Sequence, residues 1–301
     1  MIRNIHFQKI QNAAYVRIFK RFFAKDWVAS QPLQDRGAEA DEIGSVSSIS
    51  ATSAWVQVAG LAAEDKITTE NLRRLRPVQD IVETVPPGDG VSYADLVRRM
   101  GSAFFTDERV ARVDNWGNPI RWPGVLLGSP VSFSPTTLRY LATALWLREN
   151  GIVEKGGTIV EIGVGFGGLA AMNSIVSGSQ TLPVDLPEVV GLAKRMRGEV
   201  GLANCLLSEA PPEGDFTLIS NYAFTELSAD VQDIYFEKWI RNSRRGLIVS
   251  NANIFSRHIG GRDDFDVMEL LRSCGHEVRM LKQADLLCAS DYRCDVSVFT
   301  W

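Results

Sequence analysis

From residue 158 onward, short apolar runs alternate with amphipathic stretches, and that rhythm admits few folds. Thr158–Gly163, Thr181–Asp185, Ala203–Ser208, Phe216–Asn221 and Gly246–Asn251 read as strands. Helices are predicted from near Gly167, over Pro187–Arg197, from about Ser228 to Asn242, and from about Asp264 to Ser273. Two further strands, Glu277–Leu281 and Asp295–Thr300, are joined by residues without helical periodicity, so the last strand is predicted to return antiparallel. Apolar strands separated by helices imply an α/β fold, with a mainly parallel sheet of seven strands covered on both faces.

The earlier part of the chain follows a different pattern. Residues 69–85 read as helical with Pro77 as a break, and Pro86-Pro87-Gly88-Asp89-Gly90 as a turn. Ser92 with Asp95 three residues on predicts a capped start to the next helix. Residues 114–135, rich in Gly, Pro and Trp, are expected to be irregular, and the serine-rich stretch 40–54 to be a loop. Ser134-Pro135 then opens a helix, with Ser as cap and Pro in its first turn. Leu138, Leu141 and Leu145 form its predicted buried stripe, and Asn150-Gly151 its end. The expected division is a helical region, 1–133, acting as lid and oligomerisation element, and an α/β domain, 134–301.

Charge narrows the partners. The chain has 32 basic and 36 acidic residues, net −4, so no basic excess favours duplex nucleic acid. The first 25 residues are the exception, with Arg3, Lys9, Arg17, Lys20, Arg21 and Lys25 and no acid. Phe7, Ile10, Ala14, Ile18 and Phe22 recur there at helical spacing, which fits a surface or dimer-interface helix or weak contact with an anionic membrane face. No apolar run reaches transmembrane length and no secretory signal pattern is present, so a cytoplasmic homo-oligomer is expected. The four cysteines form no CxxC pair and read as buried free thiols. With only three histidines, His6, His258 and His276, no metal site is expected.

The chemistry concentrates in Ile159-Val160-Glu161-Ile162-Gly163-Val164-Gly165-Phe166-Gly167-Gly168, where the first strand turns into a helix. Glycines let the backbone approach a ligand, and free N–H groups at a helix start receive acidic groups. Gly163, Gly165 and Gly168 also satisfy a dinucleotide pattern. Two acids refine this. Glu161 lies in an otherwise apolar strand, where a carboxylate needs a strong partner such as a cationic amine. Asp185 ends the second strand, placed to accept ribose hydroxyls.

At these residues the chain resembles class I S-adenosylmethionine-dependent methyltransferases. Val160–Gly167 is similar to their first motif, and Asp185 to their second-strand acid. The resemblance covers about residues 134–301 and implies a Rossmann-like sheet whose final strand runs antiparallel between the fifth and sixth. A closer resemblance is to a bacterial family of sugar O-methyltransferases. It lies at residues 114–119 (Asp-Asn-Trp-Gly-Asn-Pro), 161–170, Asp185-Leu186-Pro187, 220–227 (Ser-Asn-Tyr-Ala-Phe-Thr-Glu-Leu) and 232–235.

What the resemblance implies for the site follows the carboxyl ends of the strands. Gly163, Gly165, Phe166 and Gly167 would cradle the methionine portion of S-adenosylmethionine, with Glu161 on its amino group. Asp185 would hold the ribose, Leu186 would pack near the adenine, and Ser208 or Glu209 would accept from its amino group. Asn221 and Tyr222 would bound the cofactor, and Phe224 and Asn251 would meet the acceptor. Glu226 and His258 are the candidate bases for removing a proton from an acceptor hydroxyl. A hydroxyl on a sugar-like or other small molecule is the expected acceptor. The rival readings are a nicotinamide-dependent oxidoreductase and a cofactor-binding, non-catalytic partner subunit.

Overall fold

The computed structural model describes residues 53–85, 87–124, 129–206, 215–282 and 296–301. The basic segment 1–25, most of the serine-rich stretch and Ser208 lie outside them.

Six described strands form one sheet: β1 (Thr158–Ile162), β2 (Gln180–Val184), β3 (Thr217–Asn221), β4 (Arg245–Ser250), β5 (Arg279–Lys282) and β6 (Ser297–Thr300). Their order is β2-β1-β3-β4-β6-β5. The β1–β2, β1–β3 and β3–β4 pairs are parallel, and β6 runs antiparallel between β4 and β5. This is the Rossmann-like arrangement expected, with one strand fewer. The described part of the expected third strand, Ala203–Leu206, does not form one. Ala203–Cys205 is a 3-10 turn, and only Leu206 makes a single parallel bridge to Thr181. Its polar backbone groups are satisfied elsewhere: Cys205 N–H donates to Leu202 O, and Arg197 donates to Leu206 O at 3.1 Å.

Period-two alternation splits the sheet between two cores. Ile159, Ile219, Leu247, Val249 and Val298 face one core, and Val160, Ile162, Leu218, Ile248 and Phe299 the other. The second core is closed by a π-turn at Phe236–Ile240 and by the helix Asp264–Ser273. The first core is larger. It takes in the helices Pro135–Glu149, Gly168–Ser177 and Pro187–Glu199, and residues from Trp55 onward in the preceding helices. Helix Ala54–Ala63 packs on Pro187–Glu199, and Pro87–Gly101 packs on Pro135–Glu149.

Several local readings hold. Ser134 accepts from Thr137 N–H at 3.2 Å, with Pro135 in the first helical turn. The helix is buried nearly all round rather than along one stripe, because it is sandwiched between Pro87–Gly101 and Gly168–Ser177. Two readings change. Residues 87–90 open the helix Pro87–Gly101 rather than forming a separate turn, so Ser92 lies inside it and does not cap it. Pro fits a first helical position, and Asp89 in the first turn suits the helix dipole. The residues after β4, where no helix is predicted, form the helix Ala252–Ile259.

A buried ionic node ties the early helices to the sheet. Arg73 is fully buried and donates to Glu83 Oε1 at 2.5 Å, Ser134 Oγ at 2.9 Å and Asp114 O at 3.2 Å. Asp114 in turn accepts from Ser134 and Arg121.

Candidate functional site

The glycine turn leaves β1 at the point where the strand order reverses, with β2 on one side and β3 on the other. That is the position at which open α/β sheets take ligands. Gly163 has φ +81°, and a Cβ there would stand 2.1 Å from the Ala223 Cβ, so both its conformation and its contact demand glycine. Gly165 has φ +53° and nothing within 4 Å of where a Cβ would point. It borders open space. Gly167, at φ +90°, caps the helix Gly168–Ser177.

Phe166 belongs to a different surface from the one expected. Its ring is 1% exposed, stacked on Trp116 at 5.5 Å, edge-on to Tyr140 at 5.9 Å, and covered by the Arg73 guanidinium at 4.8 Å. An apolar ring next to a glycine turn packs into the core when a cavity of aromatic neighbours is offered. The side chain therefore anchors the turn from behind.

Glu161 is 2% exposed, and its Oε2 has no hydrogen-bond partner. Burial pushes its carboxyl well above the usual range, and the nearby Asp185 pushes it further in the same direction. A buried carboxyl without a partner costs stability unless something pairs with it. Asp185 ends β2 and accepts from Leu186 N–H at 2.8 Å and Gly165 N–H at 3.3 Å. Burial outweighs those hydrogen bonds and raises its pKa to about 6. Leu186 caps the helix Pro187–Glu199 at half-buried position beside the first core.

Beyond β3, Asn221 is half-buried and Tyr222 takes φ +75°, an uncommon conformation for a non-glycine residue. The turn Ala223–Glu226 follows. Phe224, expected at the acceptor, is fully buried in the second core, because its N–H is held by Ser220 Oγ at 2.9 Å and its ring turns under the sheet. Asn251 is 2% exposed. Its Nδ2 donates to Glu226 Oε1 at 2.6 Å, and its Oδ1 accepts from Thr225 Oγ1 at 2.8 Å. Both ends of its carboxamide are thus engaged within the protein, so Asn251 holds Glu226 rather than an acceptor. Thr225 was missed in the sequence, where nothing distinguishes its hydroxyl from any other.

His258 is not brought to this group. It is exposed near the end of helix Ala252–Ile259, about 10 Å along the axis from Asn251 at 1.5 Å per residue. Asp263 caps the helix Asp264–Ser273 by accepting from Asp266 N–H at 2.9 Å, and Asp264 accepts from Ser250 Oγ and from Asn253 Nδ2. Among the described residues, no three His, Cys, Asp or Glu side chains gather as a metal site would require. Arg139 is a further residue the sequence reading passed over. Its Cζ lies 5.3 Å from the Tyr140 ring centre and 5.9 Å from that of Tyr222. An arginine inside the apolar helix Pro135–Glu149 was the available signal.

No protein-family model and no curated protein matches the chain. Among solved structures it is similar to phosphoethanolamine N-methyltransferase 2 of Haemonchus contortus with S-adenosyl-L-methionine, at 18% identity over 48% of this chain and 39% of that one (TM-score 0.39). It is also similar to mitomycin 7-O-methyltransferase, at 18% identity over 56% of this chain and 54% of that one (TM-score 0.42). A third is a TehB-like SAM-dependent methyltransferase from Corynebacterium glutamicum, at 19% identity over 52% of this chain and 84% of that one (TM-score 0.40). The match thus spans about half or less of the first two proteins' length. By strand order and by the glycine turn at its first crossover, the chain has the class I methyltransferase fold.

Proposed function

We propose that the protein is an S-adenosylmethionine-dependent methyltransferase that methylates a hydroxyl of a small, sugar-like acceptor. The observation that carries this reading is Glu161: a fully buried carboxyl with an unpartnered Oε2, one turn from the open space beside Gly165. A cationic amine is the group that would relieve it. The residues fit the cofactor. Glu161 would hold its α-amino group, the glycine turn its amino-acid chain, Asp185 its ribose hydroxyls, and Leu186 and Tyr222 its flanks. Asn221 and Ser208 are further candidates to border it. Bound S-adenosylmethionine supplies an electrophilic methyl group on a sulfonium.

The chain's own task is then to align a hydroxyl and take its proton. Glu226 is the group proposed for proton removal, since Asn251 and Thr225 fix its position. His258, exposed and outside that group, is the second candidate. The helices before residue 134 are proposed to roof the site and to take part in a homo-oligomer, with the enzyme in the cytoplasm. No helix among the described residues is long and apolar enough to cross a membrane.

Titration calorimetry with S-adenosylhomocysteine tests the reading. One-to-one binding is expected. No heat and no thermal shift at millimolar ligand would overturn it.

A further inference from the structure

The segment Asp114-Asn115-Trp116-Gly117-Asn118, which carries one of the sequence resemblances, runs off the end of the helix Glu108–Asn115, outside the sheet. It is fixed at several points. Asp114 is buried and accepts from Ser134 N–H at 3.1 Å, Ser134 Oγ at 2.9 Å and Arg121 Nε at 2.8 Å. Gly117 has φ +70°, and a Cβ there would stand 2.7 Å from Arg73 Cγ. Its carbonyl accepts from Arg73 N–H at 2.9 Å. Asn118 Nδ2 donates to Asn71 Oδ1 at 2.7 Å. Held on both sides in this way, the segment presents Trp116 in one orientation.

Trp116 is buried and reaches two elements. Its ring stacks on Phe166, with centres 5.5 Å apart and planes 26° from parallel. Its Nε1 donates to Glu199 Oε2 at 2.7 Å. Phe166 belongs to the turn after β1, and Glu199 ends the helix that follows β2. Trp116 thus clasps the two connections that begin beside Glu161 and Asp185. A carboxylate in the last turn of a helix opposes the helix dipole, and donors from Trp116, Thr69 (2.8 Å) and Arg195 (2.7 Å) offset that cost.

The turn needs such a clasp. Gly163, Gly165 and Gly167 have φ of +81°, +53° and +90°. Glycine reaches these angles freely, and for the same reason holds none of them strongly. Gly163 N–H donates to Val184 O at 2.9 Å, Gly165 N–H to Asp185 Oδ2 at 3.3 Å and Gly167 N–H to Val164 O at 3.0 Å. The remaining restraint is the packing of Val164 and Phe166, the two residues between these glycines, both buried. Of the three groups placed around the Phe166 ring, Tyr140 belongs to the helix Pro135–Glu149, while Trp116 and Arg73 come from the region before it.

We infer that Trp116 is a positioning residue for the cofactor. Together with Arg73 it holds the Phe166 ring, and through that ring the backbone of residues 163–167 in the conformation that receives the ligand's amino-acid chain. The identity of the ligand rests on the proposed methyltransferase reading, but the hold on the turn does not. The region before residue 134 thereby acts on the cofactor from behind the glycine turn.

The test compares the whole chain carrying Trp116→Leu, Trp116→Phe or Leu145→Ala with the parent. Leu145 is fully buried in the same core but lies against Gly101, so its truncation controls for lost stability alone. Two quantities are read. One is S-adenosylhomocysteine affinity by calorimetry. The other is hydrogen exchange of the Gly163, Gly165 and Gly167 amides in the ligand-free protein, relative to the amides of β1. Trp116→Leu should weaken binding about five- to ten-fold and quicken that exchange by a similar factor. Trp116→Phe keeps the stack and should restore most of both. Leu145→Ala should leave both within about two-fold of the parent. If Trp116→Leu does not fold, Phe166→Leu removes the same stack from the side of the turn and should show the same two changes. Unchanged affinity or unchanged exchange in a folded protein lacking the stack overturns the inference. So does an equal effect from Leu145→Ala, or no recovery in Trp116→Phe. If the unaltered protein binds no S-adenosylhomocysteine, the methyltransferase reading falls, and exchange alone decides whether Trp116 holds the turn.

Discussion

Asn251 Nδ2 donates a 2.6 Å hydrogen bond to Glu226 Oε1, joining the end of β4 to the turn that follows β3. If Glu226 takes the acceptor's proton, Glu226→Gln should lower kcat by about 10²- to 10⁴-fold with S-adenosylhomocysteine affinity unchanged. His258→Ala should leave kcat within about two-fold, as expected for an exposed side chain outside the site. Steady-state rates with radiolabelled methyl donor read both, and the reverse pattern would transfer the base to His258.

Replacing Asn251 should cost both stability and rate. Asn251→Leu strips Thr225 Oγ1 and Glu226 of a partner in a buried setting, for a loss of about 1–3 kcal/mol. Chemical denaturation measures the first effect. A rate loss in Asn251→Leu that Asn251→Gln partly restores would show that the carboxamide acts by holding Glu226.

Cofactor binding should release a proton. Burial and the nearby Asp185 raise the Glu161 carboxyl in the ligand-free protein, and a cationic amine beside it favours the ionised form. Affinity therefore rises with pH. Calorimetry above about pH 7, where Asp185 is already ionised, in buffers of different ionisation heat should show net proton release. Glu161→Gln should show none and should bind at least about ten-fold more weakly.

Asp185 makes the ligand-free protein less stable as pH rises. Its folded pKa of about 6 exceeds the ordinary value of 3.8, so the folded state favours the proton. On this group's account stability is greatest below about pH 4 and declines as pH rises through 6, by up to about 3 kcal/mol in all. Asp185→Asn should remove that decline. It should denature later than the parent at pH 8 while binding S-adenosylhomocysteine more weakly. A variant less stable than the parent at every pH would contradict the burial argument.

The two central glycines should fail differently. Gly163→Ala combines a positive φ with a 2.1 Å collision and should cost about 2–4 kcal/mol. Gly165→Ala meets open space and should cost roughly 1–2 kcal/mol, while obstructing the ligand. Melting curves and S-adenosylhomocysteine titration separate the two. Equal melting temperatures would refute the contrast.

How far the sequence reaches is visible in particular elements. Five of the strands and the antiparallel return of β6 were legible because period-two apolar runs and breakers are local signals. Ser134 was legible as a cap for the same reason. Phe224 and Phe166 were misplaced because a motif fixes where a backbone goes, while a ring turns toward whichever cavity is offered. The helix Ala252–Ile259 was missed because Asn251-Ala252-Asn253 carries little helical propensity. Arg139 stands out in the sequence only as a charge inside an apolar helix, and its setting beside the Tyr140 and Tyr222 rings comes from the fold.

The first core runs unbroken from Trp55 to Val298, with Arg73 and Asp114 bridging its two halves. Such a molecule has no seam along which to melt. Heat should take the early helices and the sheet together in one calorimetric transition, because they share the first core. Exchanging those helices between related chains would therefore disturb the glycine turn, whose Phe166 stacks on Trp116.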